Sequence, residues 1–215
     1  NFLKDHNGTK AAMNLVDEIR SNNLYGALET SEKISGGSAA NPAVGLSLLG
    51  SKAAFVGKVK NDELGNSFIK NIKETGVYFD TPMSNEGPST ASSIILVTPD
   101  AERSMNTFLG ACIALSSEDI DEKLINKSEV IYLEGYLFDP PKAKKAFIKA
   151  AKAAKKSNNL VSMSLSDSFC VERYREEFLS FIKNHVDILF ANEDEAMSLF
   201  ETDLSEAKNQ FAEIG

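Results

Sequence analysis

This sequence is short of the residues that build metal and disulfide centres. Its two cysteines, Cys112 and Cys170, lie far apart, and only His6 and His185 accompany them. No paired ligand spacing exists, so a zinc site is excluded and a reducing, cytoplasmic setting is expected. Long apolar runs are missing too. No stretch approaches the roughly 18 residues a membrane-crossing helix needs. There is no Gly-x4-Gly-Lys-Ser/Thr and no Gly-x-Gly-x-x-Gly, which removes the Walker and dinucleotide loops. Positive charge is the minority: 23 Lys and Arg stand against 31 Asp and Glu, for a net charge of -8. That balance argues against binding duplex nucleic acid. It leaves ATP open, because phosphate sites use local backbone amides and one or two basic side chains. The chain opens with neither an initiator Met nor a signal peptide, so its start is expected to be clipped.

What is present reads as one α/β protein. The 215 residues, 42% hydrophobic and 25% charged, suffice for a sizeable core. Short β-prone runs occur at Ala53-Ala54-Phe55-Val56, Val130-Ile131-Tyr132-Leu133, Leu160-Val161-Ser162-Met163 and Val186-Asp187-Ile188-Leu189-Phe190. Helical patterns lie between them. From Pro140 to Lys156 the apolar positions Ala143, Ala146, Phe147, Ala150, Ala151 and Ala154 share one face, with lysines opposite. Pro140-Pro141 suits the start of that helix. Residues 62–75 repeat the pattern through Leu64, Phe68, Ile69 and Ile72, and Gly76 suits a stop. Such alternation predicts a mostly parallel sheet with helices on both faces. Residues 27–34 and 89–109 instead read as strand following strand, the second pair turning at residues 98–102. They predict a small separate β-sheet.

The strongest local signal is Ser35-Gly36-Gly37-Ser38-Ala39-Ala40-Asn41, opening an apolar helix over residues 43–49. Two glycines permit a sharp turn and close approach of a ligand, and free helix-start amides with Asn41 can grip hydroxyls. A plain glycine turn with Ser38 as helix cap fits the same residues.

Gly36-Gly37-Ser38-Ala39-Ala40-Asn41, Leu48-Leu49-Gly50 and Val56-Gly57-Lys58-Val59-Lys60-Asn61-Asp62-Glu63-Leu64-Gly65 together resemble the N-terminal signature of the ribokinase (PfkB) family of carbohydrate and nucleoside kinases. Lys60 departs from it, standing where the family usually has glycine. Later segments resemble the family's adenosine kinase branch: Gly87-Pro88-Ser89-Thr90, Arg103-Ser104-Met105, Tyr132-Leu133-Glu134-Gly135-Tyr136-Leu137, Leu165-Ser166-Asp167-Ser168-Phe169 and Val186 to Ala196. The resemblance implies a Rossmann-like core (residues 36–88 and 110–215, incomplete at both ends) with a small β lid (residues 9–35 and 89–109). It implies transfer of phosphate from ATP, with Mg2+, to the hydroxymethyl of a small nucleoside or sugar.

The resemblance also implies roles. Gly36, Gly37 and Asn41 would bind sugar hydroxyls, where a polar site rejects analogues lacking one. Asn192 and Glu195 match the family's Asn-x-x-Glu, placed near magnesium and phosphate; a structural capping box fits that spacing equally. Arg103 would counter charge on the phosphate, or simply face solvent. Phe169 would flank a purine, or anchor the core. Glu134, ending a strand, would orient the substrate or face water. The family's catalytic base, an Asp in a Gly-Ala-Gly-Asp loop, has no counterpart here and is expected beyond Gly215. A nucleoside kinase leads, a sugar kinase follows, and a non-catalytic ligand-binding domain is the reading from another class. A homodimer is left open.

Overall fold

The computed structural model describes residue 10 and residues 12–214. His6 and the expected chain end at Gly215 lie outside the described residues, as does the first residue of the 9–35 segment. The described residues divide into two compact units between Ile113 and Ala114. No helix among them is long and apolar enough to cross a membrane.

The first unit contains a three-stranded mixed sheet of β1 (Met13–Leu15), β2 (Ser92–Val97) and β3 (Arg103–Phe108), in the order β1-β3-β2. β2 and β3 form the antiparallel hairpin expected from residues 89–109, and β1 pairs parallel to β3. The turn closes as the Thr98 amide donates to the Glu102 carbonyl at 3.0 Å. Helix α1 (Glu18–Gly26), which the sequence pattern did not announce, follows β1. Asp17 caps it by accepting from the Arg20 amide at 2.7 Å, and Leu24 and Ser21 are its buried residues. The strand expected over residues 27–34 does not form: Ala27 caps α1, and an irregular, largely exposed segment follows. With no partner strand there, the β-prone side chains have nothing to pair with.

Helices α2 (Ala40–Leu48) and α3 (Glu63–Glu74) share a core of Ala40, Ala43, Ile72, Val77 and Phe79, against which Phe55 and Phe68 pack. Phe55 stacks on Phe79 with ring centroids 5.8 Å apart, and Phe68 meets Phe79 edge-on at 6.0 Å. The strand expected at residues 53–56 shrinks to a single bridge, Ala54 to Tyr78. Its burial is supplied by this aromatic cluster, which asks little of a longer ladder. Gly76 follows α3 at φ 85°, the left-handed stop its sequence position predicted.

The second unit holds a parallel sheet of β4 (Val130–Glu134), β5 (Leu160–Ser164) and β6 (Ile188–Phe190), in that order. Helix α4 (Glu122–Asn126) precedes it, and α5 (Pro141–Lys156), α6 (Ser168–His185), α7 (Glu193–Phe200) and α8 (Leu204–Ile214) alternate with or follow the strands. All six apolar positions read from the α5 pattern are buried. Five are alanines, and their small side chains let the helix approach β4 and β5 closely. A cluster of rings closes the core: Phe138 stacks on Phe178 at 4.2 Å and meets Phe147 and Phe181 edge-on. The whole is the α/β class expected, a parallel sheet with helices plus a small mixed sheet.

Candidate functional site

In the first unit the glycine turn is open to solvent. Gly37 adopts φ 130°, a conformation that side chains rarely take. Gly36, Gly37 and Asn41 are all exposed, and the Asn41 amide donates to the Gly37 carbonyl at 2.9 Å. Asn41 Oδ1 sits 3.8 Å from where a Cβ on Gly36 would stand, so its side chain lies over the turn. Ser38 is not the cap: Ala39 holds that position, with no side-chain cap bond. With the Asn41 amide held by the Gly37 carbonyl and none on Pro42, the Ala40 amide alone of the first three is left for a partner from outside the helix. Gly36 and Asn41 line a cavity of about 340 Å3 together with Lys33, Ser35, Phe68 and Asn71. A cavity of about 320 Å3 in the second unit, beside Lys183 and Phe200, holds none of the candidate residues.

The rest of the N-terminal signature is a brace. Asp62 caps α3, accepting from the Gly65 amide (2.8 Å), the Thr90 amide (2.8 Å) and the Thr90 hydroxyl (2.7 Å). Partial burial disfavours its charge, yet these bonds and the nearby Lys60 outweigh it, holding the carboxyl below its ordinary pKa. Thr90 leads into β2, so the brace anchors the segment entering the small sheet. Lys60, the departure from the signature, forms a bridge with Ser84, and its Nζ donates to the Gly87 carbonyl at 3.1 Å. Arg103 opens β3 opposite Val97 and is exposed, with no ion-pair partner among the described residues.

In the second unit, each strand of the parallel sheet delivers a candidate residue at its carboxyl end. This is the edge where open α/β sheets bind ligands. Glu134 ends β4 in register with Ser164 and is only 8% exposed, which rules out a merely water-facing role. It accepts from the Tyr132 hydroxyl at 3.2 Å and from the Ser166 hydroxyl. Gly135 follows because a Cβ there would come within 2.6 Å of the Ser164 and Leu165 carbonyls. After β5, Asp167 caps α6 by accepting from the Phe169 amide at 2.8 Å. Phe169, on that first turn, is 71% exposed, so it anchors no core.

After β6, Asn192 and Glu195 form the full capping box of α7. The Glu195 amide donates to Asn192 Oδ1 at 2.8 Å, the Asn192 amide to Glu195 Oε2 at 3.2 Å, and Asn192 Nδ2 to Glu195 Oε1 at 2.9 Å. Capping leaves the chemistry in place, because Glu195 remains a buried carboxylate, 6% exposed. Burial raises its pKa; the Asn192 hydrogen bond opposes this, while Asp167, Glu134 and Asp194 add to it. Among the described residues no cluster of three or more His, Cys, Asp or Glu is arranged to hold a metal by itself. One carboxylate crowded by like charge suits a magnesium ion whose other ligands are water and phosphate.

Sequence reasoning missed two participants at this edge, Ser166 and Tyr132. Only their place next to a strand end hinted at them. Ser166 takes φ 72°, which no residue pattern announces for a serine.

A profile described as pfkB family carbohydrate kinase matches residues 11–214. The chain is 32% identical over 174 residues to probable fructokinase-6, chloroplastic, of Arabidopsis thaliana, covering 78% of this chain and 45% of that protein. It is 46% identical to the adenosine kinase from Sinorhizobium meliloti, with a TM-score of 0.90 over 99% of this chain and 65% of that one. It is 48% identical to a probable sugar kinase protein from Rhizobium etli CFN 42, with a TM-score of 0.90 over 98% of this chain and 64% of that one. The chain thus spans about half the length of the curated relatives it matches.

Proposed function

We propose that this chain, which belongs to the pfkB family of carbohydrate kinases, serves ATP-dependent phosphorylation of a hydroxymethyl group on a nucleoside, adenosine foremost. The observation that carries the nucleoside reading is Phe169, a ring 71% exposed at the carboxyl edge of the parallel sheet. A ring exposed at that edge offers a flat base a flat apolar partner. Gly36 and Gly37 bind hydroxyls of the acceptor through their amides, and Asn41 binds them through its side chain, its own amide being held by the Gly37 carbonyl. Glu134 accepts a further hydroxyl. Asn192 and Glu195 lie nearest the phosphates, and Glu195 would help hold magnesium. Bound there, the ion supplies charge neutralisation on the phosphates. Arg103, exposed where β3 begins in the small sheet, offers a guanidinium to a phosphate. The setting is the cytoplasm.

A free sugar is the second reading, favoured by the fructokinase and sugar-kinase relatives. Glycine-turn hydroxyl contacts serve a ribosyl group and a free sugar alike, so the base decides. The test is kcat/KM of the full-length protein with Mg-ATP for adenosine, ribose and fructose, alongside calorimetry of each acceptor. Preference for adenosine supports the proposal. Preference for a free sugar defeats the nucleoside reading, and binding without turnover returns the site to a recognition domain.

A further inference from the structure

Four non-glycine residues among those described take positive φ: Ala101, Asn158, Ser166 and Glu201. Three have local reasons. Ala101 sits in the hairpin turn, Asn158 just past the end of α5, and Glu201 at the C-cap of α7. Ser166 stands two residues beyond a sheet strand, between the fully buried Leu165 and the α6 cap Asp167, at the centre of a tight turn that the Asp167 amide closes on the Leu165 carbonyl at 2.9 Å. Glycine would take φ 72° without strain, and what serine adds there is a hydroxyl. Its hydroxyl donates to Glu134 Oε1, its amide donates to Ser164 Oγ at 3.2 Å, and the Tyr132 hydroxyl donates to Oε2 at 3.2 Å. Each carboxylate oxygen therefore has one fixed donor and keeps a lone pair free at the sheet edge.

We propose that Ser166 is a positioning residue for acceptor recognition: its left-handed turn locks the buried Glu134 carboxylate, with Tyr132, into the one orientation that accepts a hydroxyl of the substrate. This rests on the reading of Glu134 as an acceptor contact. An unlocked Glu134 would swing, and the hydroxyl would meet a carboxylate that must first be ordered.

The test is calorimetric titration of the full-length protein and its Ser166→Gly variant with adenosine, 2′-deoxyadenosine, 3′-deoxyadenosine and a non-hydrolysable ATP analogue. Wild type should bind one deoxy analogue more weakly than adenosine, which identifies the hydroxyl. Ser166→Gly should weaken adenosine about tenfold, as for one lost hydrogen bond to a charged group. It should leave that analogue within about twofold, collapsing the discrimination. The ATP analogue should be unaffected, and the melting midpoint should move little, because the relief of the turn offsets the lost hydrogen bond to Glu134. Ser166→Asn, which tolerates positive φ and carries an amide donor, should restore discrimination. Undiminished discrimination in Ser166→Gly overturns the proposal, as does a variant that fails to fold. Wild type that binds adenosine and both analogues equally removes Glu134 from the contact and the proposal with it. Wild type that binds no adenosine sinks the nucleoside reading itself.

Discussion

Gly65→Ala and Gly45→Ala are the same chemical change in two helices, and the structure gives them opposite signs. Gly45 lies inside α2, where a Cβ would meet nothing within 4 Å. Alanine there gains helix propensity and should stabilise by about 1 kcal/mol. Gly65 lies in the first turn of α3, where a Cβ would fall 2.0 Å from the Lys60 carbonyl oxygen, 2.9 Å from Thr90 Oγ1 and 3.2 Å from Asp62 Oδ1. A backbone carbonyl cannot rotate away like a side chain, so the turn from Lys60 to Asp62 must shift. Overpacking costs about 1–3 kcal/mol. Losing a hydrogen bond to the Asp62 carboxylate adds about 1.5–3 kcal/mol, and helix propensity returns about 1 kcal/mol. The net expectation is a loss of about 1.5–5 kcal/mol. Urea unfolding followed by circular dichroism, with the slope unchanged between proteins, measures both differences. A Gly65→Ala protein as stable as wild type would show that the Asp62–Thr90 brace is not rigid, and the reasoning fails. A destabilised Gly45→Ala protein would refute the open space assigned beside α2.

Phe169→Ala should change stability by no more than about 0.5 kcal/mol, since the ring is exposed. It should cost adenosine about 1–3 kcal/mol of binding while sparing ribose; an unchanged ratio of the two affinities removes Phe169 from the site. Asn41→Ala should weaken the acceptor by about 1–3 kcal/mol with ATP affinity held, as calorimetry would record. Glu195 has a raised pKa in the fold. Its contribution to stability is therefore full below the ordinary carboxylate pKa and declines as pH rises through the raised value. Glu195→Gln should abolish that decline, so melting midpoints should diverge in its favour as pH rises above the ordinary carboxylate value, about 4. Parallel curves would refute the assignment.

Local pattern was enough for elements whose burial is one-sided and regular. The α5 stripe of alanines with Phe147 could serve no other geometry, and the β4 and β5 runs flank it at the spacing a parallel crossover needs. Asp62 and Gly65 were legible as a motif, because a cap and a close carbonyl approach each demand one residue type. Other features were decided only by partners distant in the chain. Residues 27–34 have strand-like texture but no neighbouring strand, and residues 53–56 found an aromatic cluster instead of a ladder. Asn192 and Glu195 form the capping box, one of the two readings that their spacing served. Whether Phe169 was core or surface could not follow from its neighbours, because exposure is a property of what packs across from it. Ser166 is the extreme case. Its backbone strain and its bond to Glu134, some thirty residues upstream, exist only once β4 and β5 lie side by side, so no stretch of sequence contains them.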